Sequence, residues 1–280
     1  MGTRVVSGVK KRAVTVNGIF YPENPETLAE MLVSWDLKTG SASGGRVLVA
    51  PHGAWDFTGN LAASAFAAAQ KKDGQTGKKI NRVLLLGSCH DSNEEGIFLS
   101  ESSSFEALCG DLPVDQKLNL LLASCSTLIQ INDIPHLCEH SLEILLPFVK
   151  HCFPDVKIIP ILMCGKRPVL ISCLAKALRV TFEKYMEESL IVVSSNVSRN
   201  HDKALALSMA DEFQSILKAM DTKSFLSGLA ANRISACGAA LLGAVFESGL
   251  VDGKSFSSLC PLVKGKGENG ETVYYGAFAT

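Results

Sequence analysis

Apolar residues run along this chain in two rhythms, short unbroken blocks and longer stretches with one polar face. The blocks are rich in β-branched side chains: RVLVA at 46–50, RVLLL at 82–86, VKIIPILM at 156–163 and LIVV at 190–193. Runs of that length predict strands buried on both faces, as in a mainly parallel sheet. Between them, apolar positions recur at spacings of three and four. That period predicts helices over 58–70, 114–123, 139–152, 168–187, 202–219, 224–231 and 238–247. A closing strand is expected over 272–278 (TVYYGAF), and surface loops over the Gly-, Ser- or Lys-rich segments 39–45, 71–79 and 264–270. Strands alternating with helices predict an α/β fold, a mainly parallel or mixed central sheet with helices on both faces. Residues 1–280 show no repeat and no domain-parting linker, so a single domain is expected.

Composition narrows the function classes. Hydrophobic residues make up 47% of the chain and charged residues 20%, at a net charge of −1. That balance suits a large core and lacks the electrostatic footprint of a nucleic-acid or membrane-surface binder. Residues 1–11 carry Lys and Arg without an apolar run, unlike a signal peptide, and no block approaches the roughly 20 residues that span a bilayer. Nine cysteines with no Cys-x-x-Cys pair predict reduced thiols in a cytoplasmic setting, not a disulfide framework or a zinc knuckle.

The candidate chemistry follows the strands. RVLVA leads into Pro51-His52-Gly53, RVLLL into Gly87-Ser88-Cys89-His90-Asp91, and LIVV into Ser194-Ser195-Asn196-Val197-Ser198-Arg199. Ligands of open α/β sheets bind outside the carboxyl ends of the strands, so these clusters should share one pocket. A second cluster is Glu139-His140-Ser141-Leu142-Glu143, where Glu139 and Glu143 would share a helical face and His140 would neighbour Glu143. Such a pairing can bind a metal or relay protons; its plainer reading is acidic residues complementing a helix N-terminus. Cys237, before the last Ala/Leu-rich helix, is placed for a lowered thiol pKa, or else is a small buried hydrophobe.

These residues carry a resemblance to the Memo family. Gly18-Ile19-Phe20-Tyr21-Pro22 behind Ala13 is similar to that family's opening, and Ala50-Pro51-His52 with Gly59 to its Pro-His segment. Gly87 to His90, Gly110 to Asp115, Glu139 to Glu143 with Leu146-Pro147-Phe148, and Cys237-Gly238 follow in the family order. The resemblance implies a fold similar to the class III extradiol dioxygenases. It also implies a metal-capable pocket lined by His52, His90 and Cys237, with His140 nearby as an acid/base group. Iron or copper would suit such donors, as would zinc.

Two departures bear on that implication. Where the family reads Ser-Ser-Asp-x-Ser-His, this chain has Asn196 and Arg199, so a carboxylate becomes an amide and an imidazole a guanidinium. Both changes are expected to weaken or abolish cation binding, and Arg199 to favour a small anionic ligand or a peptide. His201 could stand in for the lost imidazole, and Trp55 replaces a Tyr at the expected pocket mouth. The expected role is binding, scaffolding or regulation around a weakened metal site. The alternatives are a non-haem metal-dependent oxidoreductase of dioxygenase type, with His140 and Cys237 catalytic, and a thiol hydrolase using Cys237 as nucleophile.

Overall fold

The computed structural model describes residues 10–35, 45–76, 78–90, 94–267 and 269–280. The expected loop at 39–44, most of the opening 1–11 and Asp91 lie outside those residues. In chain order the elements are β1 (Lys11–Arg12), α1 (Pro25–Trp35), β2 (Val47–Ala50), α2 (Trp55–Thr76), β3 (Arg82–Ser88), β4 (Gly96–Leu99), β5 (Ser104–Glu106) and β6 (Asp111–Pro113). Then come α3 (Gln116–Ala123), β7 (Ile129–Ile131), α4 (His140–Glu143), α5 (Leu146–Cys152), β8 (Lys157–Cys164), α6 (Pro168–Phe182), β9 (Ser189–Ser194) and β10 (Ser198–Asn200). The chain finishes with α7 (Lys203–Ala219), α8 (Thr222–Ala230), α9 (Ala239–Glu247), β11 (Ser257–Ser258), β12 (Val263–Lys266), β13 (Thr272–Tyr275) and β14 (Phe278–Ala279).

The four unbroken apolar blocks become neighbours in one eight-stranded sheet of order β11-β14-β2-β9-β3-β8-β4-β7. β2, β9, β3 and β8 run parallel, so the segments after β2, β3 and β9 emerge at one edge. Antiparallel β14 and β4 flank them and make the sheet mixed. Alternation along each strand splits the core in two. Val47, Leu84, Ile161 and Val193 face the side packed by α6 to α9; Leu48, Leu85, Leu162 and Val192 face α1, α2 and α5. No helix among the described residues is long and apolar enough to cross a membrane.

Several boundaries differ from the expectation, each for a local reason. The 139–152 helix is two pieces, because Pro147 has no N–H to continue the ladder and instead sits in the first turn of α5. Helix α2 runs on to Thr76 through the Lys-rich stretch expected to be a loop. The Gly/Lys segment after residue 263 forms β12, paired antiparallel with β13, where a loop was expected. The closing strand divides at Gly276: β13 belongs to a small sheet with β10 and β12, and β14 to the large one. Cys89 and Cys164 form a disulfide, their Cα atoms 4.9 Å apart, although reduced thiols were expected throughout. A sequence separation of 75 hides a pairing that the β3–β8 register makes.

One buried histidine sets a pH limit on this fold. His136 lies 2% exposed, its Nε2 donating to the Phe98 carbonyl at 3.2 Å while Nδ1 has no partner among the described residues. Burial, aided by Arg12 against Phe98, Asp133 and Glu139, lowers its pKa to about 4. The unfolded chain then binds the proton first, so the neutral ring's contribution is complete above about pH 6.5 and is lost as pH falls towards 4. Urea unfolding should show this histidine alone removing about 3 kcal/mol across that window. His136→Gln should flatten the slope there; an unchanged slope would assign the pH dependence elsewhere.

Candidate functional site

His52 follows β2 and His90 follows β3, so the parallel strands deliver both imidazoles to the same edge, with ring centroids 5.2 Å apart. His140 opens α4, its ring 4.5 Å from that of His90 and 5.5 Å from that of His52. α4 reaches so close because Gly87 has no side chain: a Cβ there would stand 2.5 Å from Ser141 Oγ and 2.6 Å from Leu142 Cδ2. Ligand atoms of His52, His90 and His140 all lie within 4.8 Å of one another, an arrangement that could hold a metal ion.

The surrounding hydrogen bonds orient these rings. Ser194 Oγ donates its single proton to the Ser141 carbonyl at 2.6 Å, so it must accept at 2.7 Å from His52 Nδ1–H. His52 Nε2 is left facing the pocket and the Cys237 sulfur. Glu139 accepts from the His90 N–H at 2.7 Å and from its Nδ1–H at 2.9 Å, which leaves His90 Nε2 facing the same space. The same carboxylate caps α4 by accepting from Ser141 N–H at 2.8 Å. Burial opposes ionisation of Glu139, but hydrogen bonding and charge from His90 outweigh it and lower its pKa to about 2. Burial likewise opposes charge on His90, and hydrogen bonds to Cys237 and Glu139 overcome it, raising its pKa to about 10. His140 goes the other way, to about 4, through burial and repulsion from His52 and His90 that outweigh Glu139.

Cys237 sits beneath the imidazoles, its Sγ 3.4 Å from His52 Nε2. Burial would raise the thiol; charge and hydrogen bonding from His52, with His90 and the Asn196 N–H, pull it well below its usual value. Gly238 permits the approach, since a Cβ there would meet the Ser194 carbonyl at 2.7 Å. Asn196 is bound to this cysteine and does not line the cavity: its Oδ1 accepts from Cys237 N–H at 2.9 Å and its N–H reaches Sγ at 3.2 Å.

Above the histidines opens a cavity of about 710 Å³, walled by Phe20, Phe57 and Tyr275 and rimmed by Arg199, Lys264 and Lys266. Arg199 lies at the rim as expected but is bound through Nε and an Nη to the Glu271 carboxylate at 2.9 and 3.0 Å. Its charge is therefore answered within the protein. Lys264 and Lys266, exposed on β12, have no ion pair among the described residues. They went unread in the sequence because their Gly/Lys surroundings looked like a loop.

Three expectations are corrected here. Trp55 is 2% exposed and packed against Tyr21, Trp35 and Phe148, with its indole N–H on the Ile144 carbonyl, so it is core and not pocket mouth. His201 lines a neighbouring cavity of about 310 Å³ with Lys166 and Ser235, away from the three imidazoles. Glu139 and Glu143 do not converge as a pair, because α4 begins only at His140. Glu143 turns to Arg12, Thr15, Val16 and Tyr21 instead.

Comparison with known proteins agrees with the resemblance. The sequence profile of the family described as "Memo-like protein" matches residues 12–254. A "MEMO1 family protein" of Desulfurococcus amylolyticus is 29% identical over 247 residues, 82% of this chain and 84% of its own length. One of Thermotoga maritima is 26% identical over 254 residues, 85% of this chain and 90% of its own. Among solved structures, an uncharacterized Escherichia coli K12 protein aligns with 76% of this chain and 91% of its own at 13% identity and a TM-score of 0.44.

Proposed function

This chain belongs to the Memo family, and from that premise we propose that it is a metal-binding protein with a regulatory or scaffolding role. Its pocket presents one transition-metal ion to a small anionic ligand or peptide. The observation that carries the reading is the convergence of His52, His90 and His140 within 4.8 Å. The donors fit a metal. His52 and His90 each spend Nδ1 on a protein acceptor, the arrangement that orients imidazole ligands with Nε2 towards the site, and on His90 a bound ion would take the place of the proton held there. His140 is held neutral, and Cys237 adds a thiolate-prone sulfur at His52. Imidazole with sulfur suits iron, copper or zinc. The Glu271 carboxylate removes the objection that Arg199 would repel a cation.

A binding role is favoured because the two departed positions no longer handle protons. Asn196 spends its amide oxygen on Cys237, and Arg199 is tied to Glu271. Lys264 and Lys266 supply positive charge for an anionic group, and Phe20, Phe57 and Tyr275 hold its apolar part. A second reading, a metal-dependent oxidoreductase, is supported by the open cavity over the histidines, which leaves room for a substrate beside the ion. A bound ion would supply Lewis acidity or electron transfer there. In that reading neutral His140, stacked on Phe20 at 4.9 Å, takes up a proton from a bound hydroxyl.

The test is metal content by plasma mass spectrometry on protein purified without an affinity metal, before and after anaerobic loading with iron(II). About one equivalent is expected per chain. No retained metal would overturn the proposal. Dioxygen consumption by the loaded protein with a catechol-like compound would promote the second reading.

A further inference from the structure

Two cysteines stand in register at the pocket end of the central strands. β3 and β8 pair in parallel with Ser88 opposite Met163, so the next residues, Cys89 and Cys164, face each other with Cα atoms 4.9 Å apart. That separation is ordinary both for neighbouring strands and for a disulfide, so opening or closing the bond needs no backbone movement. Cys164 is 2% exposed, whereas Cys89 is half-buried at the sheet end and is the more exposed of the two. The residue after Cys89 is His90, whose backbone and ring both bond to Glu139. The last backbone bond holding this strand end, Cys89 N–H to the Met163 carbonyl, is 3.3 Å long. Beyond the normal mode for such bonds, it is a weak restraint by itself.

We propose that Cys89 and Cys164 form a reversible thiol–disulfide site that exchanges with low-molecular-weight thiols and disulfides, and that its crosslink fixes the strand end carrying His90. The inference is independent of any metal. In reduction a small thiolate attacks Cys89 Sγ, the Cys89–Cys164 bond breaks, and its electron pair leaves on Cys164 sulfur, which takes a proton. A second small thiolate then attacks the small molecule's sulfur in the mixed disulfide. It releases Cys89 as thiolate, which is protonated, and a small disulfide departs. Two electrons and two protons pass from two small thiols to the protein, and oxidation by a small disulfide is the reverse. The ladder from Arg82 to Ser88 persists in both states, so the effect is confined to the strand end.

The experiment equilibrates the full chain in glutathione buffers of graded thiol-to-disulfide ratio. Free thiols are alkylated, the Cys89–Cys164 peptide is quantified, and hydrogen exchange is followed over 86–90 in each state. The crosslinked peptide should appear and disappear in one two-electron transition, and exchange over 86–90 should be about tenfold slower when oxidised. Cys164→Ser should accumulate a mixed disulfide at Cys89, and exchange in Cys89→Ser/Cys164→Ser should ignore the buffer. A crosslink that never forms, or that excess thiol leaves intact in the folded protein, overturns the proposal. So does equal exchange in the two states of the wild-type chain, a comparison that stands even where a variant fails to fold.

Discussion

Arg12→Met should destabilise the protein by about 3–5 kcal/mol, the cost of stranding a buried charge. Arg12 and Glu143 pair with side chains 3% and 0% exposed, so neither has water to fall back on. Glu143 accepts from Thr15 N–H and Oγ, Val16 N–H and the Tyr21 hydroxyl, which binds the N-terminal segment to α4. Arg12 also donates to the carbonyls of His136 at 3.0 Å and Glu139 at 3.1 Å. Burial pushes the Glu143 pKa up, and Arg12 with these donors holds it below its usual value. Without the guanidinium the carboxylate would take a proton, and the loss should therefore be larger at neutral than at acid pH. Urea unfolding is the measurement, and for a chain of this size the melting temperature should fall by roughly 10 °C. Adding Glu143→Gln should recover part of the loss, because the charge left behind is what costs most. Independent, additive losses in the double variant would show that the pair is not coupled.

The sequence was most legible where one strand end could be read without its neighbours. Buried apolar blocks marked β2, β3, β8 and β9, and the residues directly after them marked His52, His90 and the Ser194–Asn196 turn, because parallel strands must emerge at a common edge. Glu139 was readable as the acidic residue at the start of α4, which it caps, but its bond to His90 was not, because that partner lies 49 residues away. What failed depended on a partner far away in the chain. Arg199 looks like a free cation until Glu271 is seen beside it, 72 residues on. Trp55 looks like a pocket residue until Trp35 and Phe148 enclose it. The Cys89–Cys164 pair exists only through the strand register, and β12 only through its pairing with β13. Local composition speaks for neither.

The largest expected effect on the pocket is loss of the metal on removing a ligand. His52→Ala and His90→Ala should each leave no stoichiometric metal in protein that otherwise carries about one equivalent, since a three-imidazole site cut to two imidazoles retains little hold. Glu139→Gln tests the same site without touching a ligand. The amide keeps the carboxylate's shape, but its NH₂ offers a donor where His90 N–H, His90 Nδ1–H and Ser141 N–H all require acceptors. Ring orientation and basicity then degrade together, and affinity should fall 10–100-fold, about 1.4–2.7 kcal/mol. Cobalt(II) titration followed by absorbance reads both effects, and it separates the roles of the two remaining donors. A thiolate-to-metal band that Cys237→Ser abolishes would put sulfur on the ion, while its persistence in His140→Ala would leave that imidazole for proton transfer. Equal affinity in wild type and Glu139→Gln would mean that the ion does not depend on His90, and the three-histidine site would have to be given up.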